Sequence, residues 1–182
     1  MKFVEVRRHS LRDEKGSLSP EGIALAHKAA GGLAKKYAAC YSGPALRCRQ
    51  TLEAMGFKEY AVDEGFDSLP GKRLRPYMPD VERTLAEKGW GLLRALLEHP
   101  EAKEVLQEAG DRVLQAVKRL ARDLPEGGRA LVVSHGGCIE PAALLALGNF
   151  DLSVIGGELK ECEGVVFELA GDEVVGVEVV RL

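Results

Sequence analysis

Four residues in this sequence carry chemistry worth weighing together: Arg8, His9, Arg47 and His135. Two guanidiniums and two imidazoles make a donor-rich set for an anion. The planar fork of arginine matches the oxygens of phosphate or carboxylate with paired hydrogen bonds. A neutral imidazole can also attack phosphorus if it is held in line with a leaving oxygen. Taken singly, each residue has a plainer reading. Arg8 and Arg47 could be solvated or ion-paired surface groups, and either histidine could be hydrogen-bonded inside a core. His27 and His99 keep that plainer reading, one on a helix surface and one at a helix junction. What distinguishes the four is where the chain places them.

Residues 2–7 hold Phe3, Val4 and Val6 in a short apolar run, read as a first buried strand, with Arg8 and His9 directly after it. A polar loop over 10–19 leads to Ser19-Pro20-Glu21, the cap-then-proline order of a helix start, and the helix is expected to run to about Tyr37. Residues 38–42 form a second strand, broken by Gly43-Pro44 into a helix over 45–55 whose first turn carries Arg47. A third strand follows at 60–62. Residues 65–79 hold Gly71 and three prolines and read as irregular surface. Two long helices are expected over 80–98 and 101–123, separated by His99-Pro100, with possible breaks at Gly89-Trp90-Gly91 and Ala109-Gly110. Residues 129–134, Arg-Ala-Leu-Val-Val-Ser, are the clearest buried strand. They deliver His135, then Gly136-Gly137 at the start of a helix ending near Leu147. Residues 163–169 and 173–180 alternate about Gly171-Asp172 as a hairpin.

Strands separated by helices imply one α/β domain over residues 1–182, a three-layer α/β/α arrangement. Its open sheet would be mostly parallel, with an antiparallel hairpin at the C-terminal edge. In such sheets ligands bind outside the carboxyl ends of the strands. Arg8, His9, Arg47 and His135 all fall there, and the glycines after His135 free backbone N–H groups for an anion.

Composition narrows the function classes. With 46% hydrophobic and 29% charged residues, the chain is too apolar for disorder and too charged for a membrane protein. A net charge of −3 argues against general nucleic-acid affinity. The charged N-terminus lacks a signal-peptide pattern, so a cytoplasmic protein is expected. Cys40, Cys48, Cys138 and Cys162 show no metal-ligand spacing and read as small buried hydrophobes in a reducing compartment. No metal and no cofactor are expected. Neither Gly-x-Gly-x-x-Gly nor a Walker-type loop is present, which disfavours a nucleotide-dependent enzyme. The single Asn and three Gln follow the bias of chains built to resist heat.

Four motifs then appear in order: Arg8-His9, Leu18-Ser19-Pro20-Glu21-Gly22, Ser42-Gly43-Pro44-Ala45-Leu46-Arg47-Cys48-Arg49-Gln50-Thr51, and Val132-Val133-Ser134-His135-Gly136-Gly137. Together they resemble the histidine phosphatase superfamily, in its phosphoglycerate-mutase-like branch, over nearly the whole chain. The resemblance implies that His9 is the nucleophile that takes the phosphoryl group. Arg8 and Arg47 would clamp the phosphate, and His135 would contact the same group. The expected activity is a metal-independent phosphatase; a mutase or a non-catalytic phosphate binder are the alternatives. The expected partner is a small phosphorylated substrate or a phosphohistidine-bearing protein, with no nucleic acid and no membrane.

Three departures from the family pattern matter. Ser10 stands where glycine is usual after Arg-His, and it either bonds the phosphate or crowds the loop. Gly43 stands where serine is common. Arg12 is a possible further phosphate ligand or a solvated loop charge. The third departure concerns the acid: Ser68 occupies the place of the glutamate that protonates the leaving alcohol, so Asp67, and after it Glu64, are the candidate acids, or else plain surface carboxylates.

Overall fold

The computed structural model describes residues 1–182. Its six strands are β1 (Lys2–Arg8), β2 (Ala39–Ser42), β3 (Ala61–Val62), β4 (Arg129–Ser134), β5 (Gly164–Ala170) and β6 (Glu173–Val180). They form one sheet in the order β3-β2-β4-β1-β5-β6. The first four run parallel, while β5 runs antiparallel to both β1 and β6. The α/β fold and its C-terminal hairpin are as the sequence implies.

The helices are α1 (Pro20–Ala30), α2 (Leu46–Ala54), α3 (Gly71–Leu74), α4 (Met78–Lys88), α5 (Leu92–Glu98), α6 (Pro100–Asp123) and α7 (Ile139–Leu147). Period-two alternation along the strands sorts side chains between the two helical layers. On β4, Ala130 and Val132 join Val4, Val6 and Phe167 in the main core under α5, α6 and α7. Leu131 and Val133 point the other way, into a smaller cluster with Cys48 and Leu52 of α2. Glu5 and Arg7 share that second side of β1 as a buried pair 2.7 Å apart. Glu5 also accepts from Tyr37 Oη and Arg129, so the pair's charges are matched rather than stranded.

Several boundaries differ from the sequence reading. α1 stops at Ala30 instead of continuing to Tyr37, because Tyr37 is recruited to the sheet side: its hydroxyl accepts from Ala34 N–H and donates to Glu5. Residues 65–79 are not irregular surface but a chain of short helical turns, with Phe66 and Leu74 buried in the core. The expected helix over 80–98 is two helices, parted at Gly89-Trp90-Gly91, where Gly89 takes a left-handed φ of 64°. Gly110 leaves α6 unbroken and gives α7 its close seat: a Cβ there would stand 2.7 Å from the Pro141 carbonyl carbon. α7 begins only at Ile139, after a turn over 136–138.

Candidate active site

Parallel pairing fixes the site's floor. Arg8 lies opposite Ser134 in the β1–β4 register, so His9 and His135 leave neighbouring strands side by side. Their ring centroids are 5.3 Å apart, inclined at 70°. Arg47, on the first turn of α2, stands between them. Its Nε donates to His9 Nε2 at 3.2 Å, and its Nη2 lies 3.2 Å from His135 Nδ1. Arg8, His9, Arg12, Arg47, His135 and Gly136 line one open chamber of about 350 Å³, with Ser68 and Leu69 closing the far wall. A larger hollow of about 810 Å³ lies between Arg94, Lys103 and residues 149–157. It holds no imidazole, so the chemistry marks the smaller chamber.

Tautomers follow from the neighbours. The Ser10 carbonyl lies 2.8 Å from His9 Nδ1 and takes its proton, which leaves the Nε2 lone pair facing Arg47 and the chamber. On His135, Nδ1 accepts from Arg47 while Nε2 faces Cys48 Sγ at 3.4 Å. The Cys48 thiol in turn donates to the Ser134 carbonyl. Burial pushes that thiol up to about 12, so it stays protonated. Burial first, and then the positive charge of Arg47, hold His9 down to about 4 and His135 to about 3. Both rings are therefore neutral at pH 7.

The loop carrying His9 is tied down from below. Ser10 N–H donates to Thr51 Oγ1, Thr51 Oγ1 donates to the Arg47 carbonyl, and Leu18 N–H donates to Gln50 Oε1. The Ser10 hydroxyl is fully buried and donates to the Gly22 carbonyl at 2.6 Å. It neither reaches the chamber nor crowds the loop; it fastens the loop to α1. Gly43 is explained by close approach, since a Cβ there would meet the Phe66 carbonyl oxygen at 2.4 Å.

The chamber admits some expected residues and leaves others out. Arg12 is exposed and lines its rim. Gly136 also lines it, and its N–H has no acceptor within the chain, whereas Gly137 N–H is taken by Glu140 Oε2 at 2.7 Å. Asp67 is not brought to the chamber: its Oδ1 accepts from Ser68 N–H within its own turn, at 2.7 Å. Glu64 is exposed and also lies outside it. From this segment Ser68 and Leu69 line the chamber with His9 and His135, so it offers a hydroxyl in place of a carboxylate.

Other parts of the site escape sequence reasoning. Because β5 runs against β1, the segment before it reaches the same sheet edge. There the Leu159 carbonyl accepts from Arg8 Nη1 at 2.6 Å, and Glu161 pairs with Arg8 Nη2 at 3.0 Å. Arg8 Nε stays buried without a partner. Arg112 of α6 donates to the carbonyls of Asp67 and Ser68 and so holds the wall carrying Leu69. Glu140 is fully buried and accepts from both Gly137 and Leu159 N–H, joining the His135 turn to the Arg8 anchor. Its one sequence signal was a lone acid in the apolar start of α7.

Solved structures share this architecture. A phosphoserine phosphatase from Entamoeba histolytica, solved with 3-phosphoglyceric acid, superposes with a TM-score of 0.67 at 17% identity, covering 100% of this chain and 98% of that one. YhfR from Bacillus stearothermophilus gives 0.67 at 19% identity, with 98% and 96% covered. A mycobacterial glucosyl-3-phosphoglycerate phosphatase solved with VO3 gives 0.65 at 18%, with 92% and 93% covered. At such identities these likenesses establish the fold. No curated protein matches the chain. The family model described as histidine phosphatase superfamily (branch 1) matches residues 8–179, and the chain belongs to that superfamily.

Proposed function

We propose that the protein is a phosphatase that hydrolyses a phosphomonoester through a covalent phosphohistidine on His9. One observation carries the reading: Arg47 bridges the His9 Nε2 lone pair and His135 Nδ1 at 3.2 Å each, in a chamber walled by further arginines. A bound phosphate oxygen would take over the Arg47 donors and free Nε2 to attack. The bond from Nε2 to phosphorus forms as the ester P–O bond breaks, and the alkoxide leaves with a proton taken from solvent or from the substrate's own phosphate. Water then attacks phosphorus, the P–N bond breaks, and inorganic phosphate departs as His9 is restored. Charge spreading over the equatorial oxygens is met by the fixed donors of Arg47 and by Gly136 N–H, with the Arg8 guanidinium adding positive charge at the chamber wall. The arginines supply this positive charge without a metal ion.

The alternatives differ in what they leave on the protein. Brief mixing with a 32P-labelled aryl phosphate, followed by an alkaline quench, should trap label on His9 and release phosphate catalytically; His9→Ala should do neither. A binder that cannot turn over would leave the wild-type protein unlabelled. A mutase would return the label to an added alcohol instead of to water. Either result would overturn the phosphatase reading.

A further inference from the structure

Beside the phosphate chamber, sharing Arg8, Leu69 and Gly136 with it, lies a second hollow of about 130 Å³. Its outer wall is Leu92, Leu93 and Leu96 of α5. Leu93 and Leu96 are almost fully buried, so their surfaces are set in advance, while half-exposed Leu92 forms the lip. Leu69 lines both spaces and is held in place. A Cβ on Gly137 would stand 2.8 Å from its Cδ1, and Arg112 grips the two carbonyls before it.

The polar groups of this hollow are turned to the backbone. Both Glu140 oxygens accept amide protons, and Glu158 Oε1 accepts from Leu93 N–H at 2.7 Å. No hydroxyl, amide or lysine side chain lines the space, and its one cation is Arg8. A second anionic group on the substrate would face two carboxylates there. A sugar would find few partners for its hydroxyls, and buried polar groups without partners are costly. An apolar group would instead cover leucine surface, and a leucine-lined cavity of about 150 Å³ takes a benzene ring.

We propose that this hollow receives the alcohol side of the phosphomonoester and selects a compact apolar group, a short branched alkyl chain or a single aromatic ring. The inference rests on the phosphatase reading and adds a substrate class to it. It can be tested by binding, without turnover. Calorimetric titration would compare methylphosphonate, isobutylphosphonate and 2-carboxyethylphosphonate, with orthovanadate as a probe of the phosphate chamber alone. Isobutylphosphonate should bind at least tenfold tighter than methylphosphonate, about 1.4 kcal/mol, and the carboxyethyl compound more weakly than either. Leu92→Glu, a change at a half-exposed lip, should reduce the isobutyl-to-methyl ratio below threefold. Vanadate binding with a flat ratio, a preference for the carboxylate, or a ratio unchanged in Leu92→Glu would overturn the apolar subsite while leaving the phosphate chamber standing. Failure of vanadate and all three phosphonates to bind would remove the phosphate chamber, and the subsite with it.

Discussion

Replacing Arg47 tests the centre of the site most sharply, because its two contacts use different nitrogens of one rigid plane. Nε meets His9 while Nη2 meets His135, both at 3.2 Å. A lysine at this position keeps the charge, but its donors radiate from one nitrogen on a flexible stem and do not reproduce the rigid planar fork that meets both rings. One preorganised donor aimed at developing charge is worth roughly 10²–10³ in kcat. Arg47→Met, which loses charge and both donors, should therefore slow hydrolysis of an aryl phosphate by about 10⁴-fold or more. Arg47→Lys should recover part of that and stay about 10²-fold below wild type, on the same single-donor scale. The same variants move a titration. In the folded protein His9 is held down to about 4 by burial first, and by Arg47 and Arg8 after it. Removing the Arg47 charge should raise the His9 midpoint, followed by NMR of its ring proton, while burial keeps it below the ordinary value of about 6.5. The Nε2 lone pair is lost on protonation, so activity falls as pH drops through that midpoint, and the acid limb in Arg47→Met should begin at higher pH. Arg47→Lys within threefold of wild type, or an unmoved His9 midpoint in Arg47→Met, would show that the bridging geometry does no work.

Ser10→Ala removes the bond to the Gly22 carbonyl without touching the chamber; it should cost about 1 kcal/mol, or roughly 2–4 °C in Tm, with kcat changed less than threefold. Asp67→Asn should slow alkyl and activated aryl phosphates by equal factors, because the carboxylate is turned to Ser68 N–H. A selective loss on alkyl esters, read from paired kcat/KM values, would make it the proton donor after all. Glu140→Gln brings an amide NH2 against one of two backbone N–H donors and should destabilise the fold by about 1–3 kcal/mol in urea. Burial also raises the Glu140 pKa in the folded state, so the wild-type carboxyl loses stability as pH rises through its folded midpoint. The variant should lack that slope.

The four residues that meet at the chamber are legible because the strands that lead to them are locally obvious. Arg8-His9 and His135 end apolar runs, and Gly43-Pro44 marks the turn that delivers Arg47. Parallel pairing then does the rest. What stayed hidden depends on contacts distant in sequence. Tyr37 reads as the tail of α1 until Glu5 is seen to bind it, and Phe66 and Leu74 read as surface until the core closes over them. Asp67 is a candidate acid only as the carboxylate next to Ser68, which fills the glutamate's place. Its side-chain direction is set by the turn it closes, and a single sequence carries little of that. The Arg8 anchor at Leu159 and Glu161 lies some 150 residues away in sequence, beyond the reach of any local pattern.

That distant anchor has a consequence for how the protein comes into being. The β1 strand is synthesised first, yet the groups that fix Arg8 belong to the stretch entering β5, made only after α6, β4 and α7. Domains tend to fold as units while translation proceeds. On the ribosome, then, both histidine-bearing strands are made before the groups that fix Arg8, and the unit as a whole is expected to close only once those groups are present. Competence to hold phosphate should arrive late and abruptly, when residues 158–163 emerge from the exit tunnel and the reversed strand slides in beside β1.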